Sequence, residues 1–134
     1  MTRDLVNRLS GIKIMRDPTR GGIAATLNEI ASACDLCFLI EESQIPIRPQ
    51  VQSACELLGL DPWIVANEGK LVAIVSPEQS QEALEILRSH PLGAQARCIG
   101  EVTQEYCGKV IAKTIYGTHR IVPMPAGELL PRIC

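Results

Sequence analysis

The chain has 134 residues, 46% hydrophobic and 21% charged, and its 13 basic and 15 acidic side chains leave a formal net charge of −2. That length predicts one folded domain, long enough to bury roughly two-thirds of its unfolded surface without help from a metal or a disulfide. The well-mixed charge argues against a nucleic-acid or membrane-surface partner, and the longest apolar runs, residues 71–75 and 37–40, are far too short to span a bilayer.

In chain order, Leu5, Val6 and Leu9 have helical spacing within residues 2–10, and Gly11 ends that helix. Residues 12–15 read as a buried strand. The run Asp17-Pro18-Thr19-Arg20-Gly21-Gly22 is a turn, and after it Ile23, Leu27, Ile30, Ala31 and Cys34 form the stripe of an amphipathic helix. Residues 37–42 are the next strand. Pro49 suits the first position of a second helix, with Val51, Ala54, Cys55 and Leu58 facing inward and Gly59 as its stop. Asp61 and Pro62 cap a short turn that delivers Asn67-Glu68-Gly69 to a strand at 70–75. Ser76-Pro77-Glu78-Gln79 has the pattern of a capping box, opening a helix to about Ser89 with Ala83, Leu84 and Leu87 inward. Three strands follow, at 96–103, 109–114 and 119–122, read as successive hairpins with Gly108 and Gly117 in the turns. The order predicts an α+β fold, a mixed β-sheet with packed helices, over residues 1–123, and an extended tail at 124–134.

No basic-then-apolar segment opens the chain, so a signal peptide is not expected; the six cysteines then read as reduced thiols of a cytoplasmic protein. Cys34 and Cys37 form a CxxC, but zinc needs two more ligands, and His90 and His119 are isolated, so no metal site is expected. Cys34, Cys37, Cys55, Cys98 and Cys107 are read as packing thiols, and His90 as a dipole partner at a helix end.

Three places can carry chemistry. At residues 17–22, a helix start with two glycines can approach a phosphate closely, Arg16 and Arg20 add charge, and Asp17 can hold a cation; the plain alternative is an Asp or Thr N-cap before a tight turn. Glu68, in a turn at a strand's mouth near Trp63, has the placing of a general base, with a solvated turn carboxylate as the alternative. Cys134 ends a tail that has no core to fill, on an arm able to reach about 40 Å from Val122 when extended; the plain alternative is an incidental, exposed terminal cysteine. A thiol ionises near about pH 8.5 when unperturbed, so its activation has to come from the site that receives it.

The segments MRDPTRGG (15–22), CELLGLDP (55–62), ANEGKLV (66–72), HPLG (90–93), IGEV (99–102) and LLPRIC (129–134) resemble the C-terminal domain of the HypE family of hydrogenase maturation factors. These are carbamoyl dehydratases within the aminoimidazole ribonucleotide synthetase-related group. The likeness runs from about Lys13 onward. It implies that Cys134 accepts a carbamoyl group from the carbamoyltransferase HypF. ATP then drives dehydration to a thiocyanate, and cyanide passes to iron held by HypC–HypD. It implies catalytic roles for Cys134 and Glu68, and nucleotide contacts at Asp17, Thr19, Arg20, Gly21, Gly22 and Asn67. In the family, ATP and magnesium are held largely by an N-terminal domain that also makes a homodimer. That domain is missing here, so the chain is expected to be a part of a longer protein that binds no nucleotide by itself. The alternative is a non-catalytic module that docks the cysteine arm onto maturation partners.

Overall fold

In the computed structural model, residues 1–126 are described; Cys134 and the rest of 127–134 lie outside them. The described residues cluster into two compact units, one formed by Met1–Arg16 with Leu71–Cys98 and the other by Asp17–Lys70 with Ile99 onward.

The first unit holds α1 (Thr2–Arg8), β1 (Ile12–Arg16), β3 (Val72–Val75) and α4 (Ser80–Arg88). β1 and β3 pair antiparallel, with an irregularity between Ile12 and Ile14. Leu5 of α1 and Leu9 just past its end meet Ala83 and Ile86 of α4, and Ile12, Met15, Leu71, Val75 and Leu87 close around them. Full burial of such side chains stabilises by about 1.5–3 kcal/mol each. Helical spacing explains Leu5 and Leu9, but Ile86 replaces Leu84 as the buried partner of Ala83, and Val6 is exposed.

Two local expectations are corrected in this unit. The capping box at 76–79 does not form, because Pro77–Gln79 is a separate 3₁₀ turn and the Gln79 side chain accepts from the Gly11 amide instead. His90 does not serve the end of α4; its Nδ1 accepts from Leu92 N–H at 3.2 Å and caps the 3₁₀ turn Pro91–Gly93.

The second unit is built on a four-stranded sheet in the order β4-β2-β5-β6, formed by Gly100–Thr103, Cys37–Glu41, Val110–Lys113 and His119–Ile121. β2 runs antiparallel to β4 and parallel to β5, and β5 and β6 form an antiparallel hairpin. The sheet is mixed, as expected, but 96–103 and 109–114 are not hairpin neighbours because β2 lies between them. The ladder also shortens the 96–103 strand to Gly100–Thr103, opposite Cys37 to Ile40.

Helix α2 (Gly22–Cys34) packs on β2 and β5 through the buried Ala24, Leu27, Ile30 and Ala31. It ends at Asp35, which takes the left-handed conformation with φ 53°. Helix α3 (Pro49–Leu58) starts at proline and ends in a Schellman motif. There Gly59 N–H donates to Glu56 O and Leu60 N–H to Cys55 O.

Only Cys55 of the expected inward stripe of α3 is buried; Val51 is 43% and Leu58 70% exposed. The periodicity is correct, but no described element covers the helix. Its apolar side lines an open groove of about 320 Å³ with Leu60 and Val65. Cys37 and Cys55 are packing thiols as expected, whereas Cys34, Cys98 and Cys107 are exposed. Cys34 is the last helical residue of α2 and Cys107 lies in a turn, so the core does not reach either.

Candidate functional site

The turn at 17–22 and the segment 61–68 form one structure within the second unit. Gly21 is the N-cap of α2 in the left-handed conformation, and Gly22 also has φ of +60°. Only glycine adopts two such residues without strain. A Cβ on Gly22 would stand 2.4 Å from the carbonyl oxygen of Trp63 and 2.6 Å from that of Val65. The second glycine therefore admits the neighbouring chain.

The expected Asp or Thr cap is absent: no side chain caps α2. Instead Ala24 N–H donates to Trp63 O at 2.9 Å, so a carbonyl far along the chain does the work of a local cap. Thr26 Oγ1 donates back to Gly22 O at 3.1 Å. The 61–68 segment is held in turn by Asp61, whose Oδ1 accepts from Trp63 N–H at 2.9 Å, as its place before the turn predicted. Asn67 N–H is shared between Pro18 O at 3.2 Å and Thr19 O at 3.3 Å. Asn67 thus meets the 17–22 turn through its backbone, which brings the two sequence motifs together.

Asp17, Arg20, Asn67 and Glu68 are exposed, Thr19 and Gly21 half-buried, and Gly22 buried. Glu68 is next to a left-handed Gly69 at the tip of the turn. It has the exposure of a solvated carboxylate open to a visiting substrate. Trp63 is buried, and the Arg120 guanidinium lies 4.9 Å from its ring centroid.

With Ala24 N–H committed to Trp63, the donors this helix start can offer a phosphate narrow to the amides of Gly22 and Ile23 and the Arg20 side chain. These residues fit part of a phosphate site. Among the described residues, no group of three or more His, Cys, Asp or Glu side chains is arranged to hold a metal ion. Among them too, no helix is long and apolar enough to cross a membrane.

The chain leaves the sheet beside this site. Asn28 Nδ2 donates to Ala24 O at 2.9 Å and to Val122 O at 3.0 Å, tying the end of the last strand to α2. Pro125 Cγ lies 3.7 Å from where a Gly21 Cβ would be. The sequence contained no signal for this approach or for Arg120, since both depend on residues about 60 or more positions apart.

Likenesses to known proteins bear on the chain. It is 54% identical over 136 residues to the carbamoyl dehydratase HypE of Bradyrhizobium diazoefficiens, covering 98% of this chain and 39% of that protein. A crystal structure of the hydrogenase maturation protein HypE in complex with ATP superposes with TM-score 0.91 and 42% identity, over 98% of this chain and 40% of that one. HypE in a HypE–HypF complex superposes with TM-score 0.85 and 44% identity, over 90% of this chain and 39% of that one. The chain spans about two-fifths of the length of the curated relative it matches. The resemblance to HypE drawn from the motifs is therefore borne out in both sequence and fold. Residues 2–113 match the family described as AIR synthase related protein, C-terminal domain, and the chain belongs to that family.

Proposed function

We propose that the chain is the part of an ATP-dependent carbamoyl dehydratase that bears the acceptor cysteine and one side of the phosphate site, acting in nickel–iron hydrogenase maturation. One observation carries this role: the last described residues pass the 17–22 turn, to which the Asn67–Glu68 turn is also bonded. Cys134 is eight positions beyond Ala126, a reach of up to about 28 Å. An arm starting there can bring a group on Cys134 to both turns and away again to partners.

The chemistry asks little of this chain's residues. The Cys134 thiolate attacks the activated carbamoyl carbon presented by HypF; the S–C bond forms as the bond from that carbon to its activating group breaks, and that group leaves with the electron pair. ATP supplies the phosphoryl group that turns the thiocarbamate oxygen into a leaving group. Glu68 takes a proton from the carbamoyl nitrogen as the C–O bond breaks, and a second N–H proton also leaves, so that phosphate departs and S–C≡N remains. The charge on the departing phosphate is met by the Gly22 and Ile23 amides and by Arg20. Asp17 and Thr19 border the same turn, Gly21 keeps its backbone open, and Asn67 anchors the base-bearing loop to it. The cyano group then passes to iron on a HypC–HypD complex, in the cytoplasm. The remainder of the nucleotide site, magnesium and the homodimer contact belong to an N-terminal domain of the whole protein.

Glu68→Gln in the whole protein tests the base assignment. With HypF, carbamoyl phosphate and ATP, the variant is expected to gain the carbamoyl group and to lose water at least tenfold more slowly, read by intact mass. Unchanged dehydration removes Glu68 from the mechanism.

A second role, a non-catalytic module that docks the cysteine arm, draws on the coverage of about two-fifths of the relative's length. Glu68→Gln and Arg20→Gln, made separately in the whole protein, separate the two. Dehydration unchanged by both supports docking, and dehydration slowed by either refutes it.

A further inference from the structure

We propose that Arg120 is a positioning residue, holding the Glu68 turn and the start of α2 in place through Asp61 and Trp63. Its functional meaning rests on the role proposed for Glu68, whereas its geometry does not. Arg120 is on β6, opposite Ala112 of β5, so its backbone is fixed by the sheet. Its Nη2 lies 3.0 Å from Glu42 Oε1 and 3.9 Å from Asp61 Oδ2. Its guanidinium also faces the Trp63 ring at 4.9 Å, with Trp63 only 2% exposed.

One cation thus touches both residues that set the 61–67 segment. Asp61 uses its other oxygen to accept from Trp63 N–H, and Trp63 uses its carbonyl to accept from Ala24 N–H. Four residues beyond Trp63, Asn67 N–H reaches Pro18 and Thr19. Removing the guanidinium leaves Asp61 without its cation and the indole without its cover. The first amides to feel the change are those of Ala24 and Asn67. An ammonium can still sit over the ring, but it lacks the planar guanidinium whose carbon lies over the indole while its Nη2 reaches Glu42 and Asp61.

Amide hydrogen exchange on the 134-residue chain tests this, with Trp63 emission as a second readout because it is the only tryptophan. Arg120→Met is expected to speed exchange at Ala24 and Asn67 about tenfold and to shift Trp63 emission, while Leu60 in the α3 cap keeps its rate. Arg120→Lys is expected to restore the emission and part of the protection. Should Arg120→Met fail to fold, Asp61→Asn keeps the Trp63 N–H acceptor, removes the charge, and is expected to speed the same two amides. Unchanged exchange at Ala24 and Asn67, or an equal rise at Leu60, overturns the proposal. In the whole protein, Arg120→Met is expected to slow loss of water while leaving carbamoylation intact. If Glu68→Gln leaves dehydration untouched while Arg120→Met still frees the two amides, the Glu68 role falls and the positioning role stands.

Discussion

Substituting Gly22 by alanine tests the contact that joins the two halves of the candidate site. The new Cβ would lie 2.4 Å from Trp63 O, 2.6 Å from Val65 O and 3.1 Å from the Ile64 carbonyl carbon. All three neighbours are backbone, so no side chain can swing aside and the 63–65 segment has to retreat. That retreat stretches the 2.9 Å bond from Ala24 N–H to Trp63 O, whose loss costs about 0.5–1.5 kcal/mol. The left-handed backbone adds about 1–2 kcal/mol for any residue with a Cβ, giving a total of about 1.5–3.5 kcal/mol. Gly59 supplies the control: its φ is +65° but nothing lies within 4 Å of its Cβ position. Gly59→Ala therefore carries the backbone cost alone, about 1–2 kcal/mol. Urea unfolding followed by Trp63 fluorescence measures both variants. The expected result is an extra loss of about 1 kcal/mol for Gly22→Ala over Gly59→Ala. Equal losses would refute the idea that the glycine exists to admit the 63–65 chain.

Burial raises the Cys37 thiol, with a hydrogen bond from Thr103 opposing the rise and Glu105 and Cys107 adding to it. The unfolded chain then loses this proton first, so the group leaves stability unchanged below about pH 8.5 and lowers it above that. Cys37→Ala should flatten the decline in urea midpoint between about pH 8.5 and 10; an unchanged slope would remove the assignment. Leu5 is fully buried against Leu9, Ala83 and Ile86, so Leu5→Ala should cost about 2–4 kcal/mol in denaturant unfolding. Leu58, exposed on the open side of α3, should tolerate Leu58→Ser within about 0.5 kcal/mol in the same assay.

What could be read from the residues was mostly local. Pro49 and Gly59 bracket α3 because one suits a first helical position and the other a left-handed stop, and neither depends on distant chain. The β5–β6 hairpin follows from Gly117 at φ +81° in the short turn between the two strands. Strand neighbours were less legible: Phe38 stands between Val102 and Val110, more than sixty residues on, and period-two patterning says nothing about which strand comes next. An apolar stripe likewise does not reveal whether anything covers it, which is why Val51 and Leu58 were misplaced. At the site, DPTRGG and ANEG were each visible as turns. Their joining through Asn67 was not, nor was the replacement of a side-chain cap by the Trp63 carbonyl. Both are backbone bonds, and such bonds leave no trace in residue type.

The most direct test of the proposed function is where the carbamoyl group resides. The whole protein is incubated with HypF, carbamoyl phosphate and ATP, digested, and the peptide containing Cys134 is weighed. The predicted result is a carbamoyl adduct on Cys134 that then loses water in an ATP-dependent step, with neither species in Cys134→Ser. A carbamoyl adduct on any other residue, or an undiminished yield in Cys134→Ser, would contradict it.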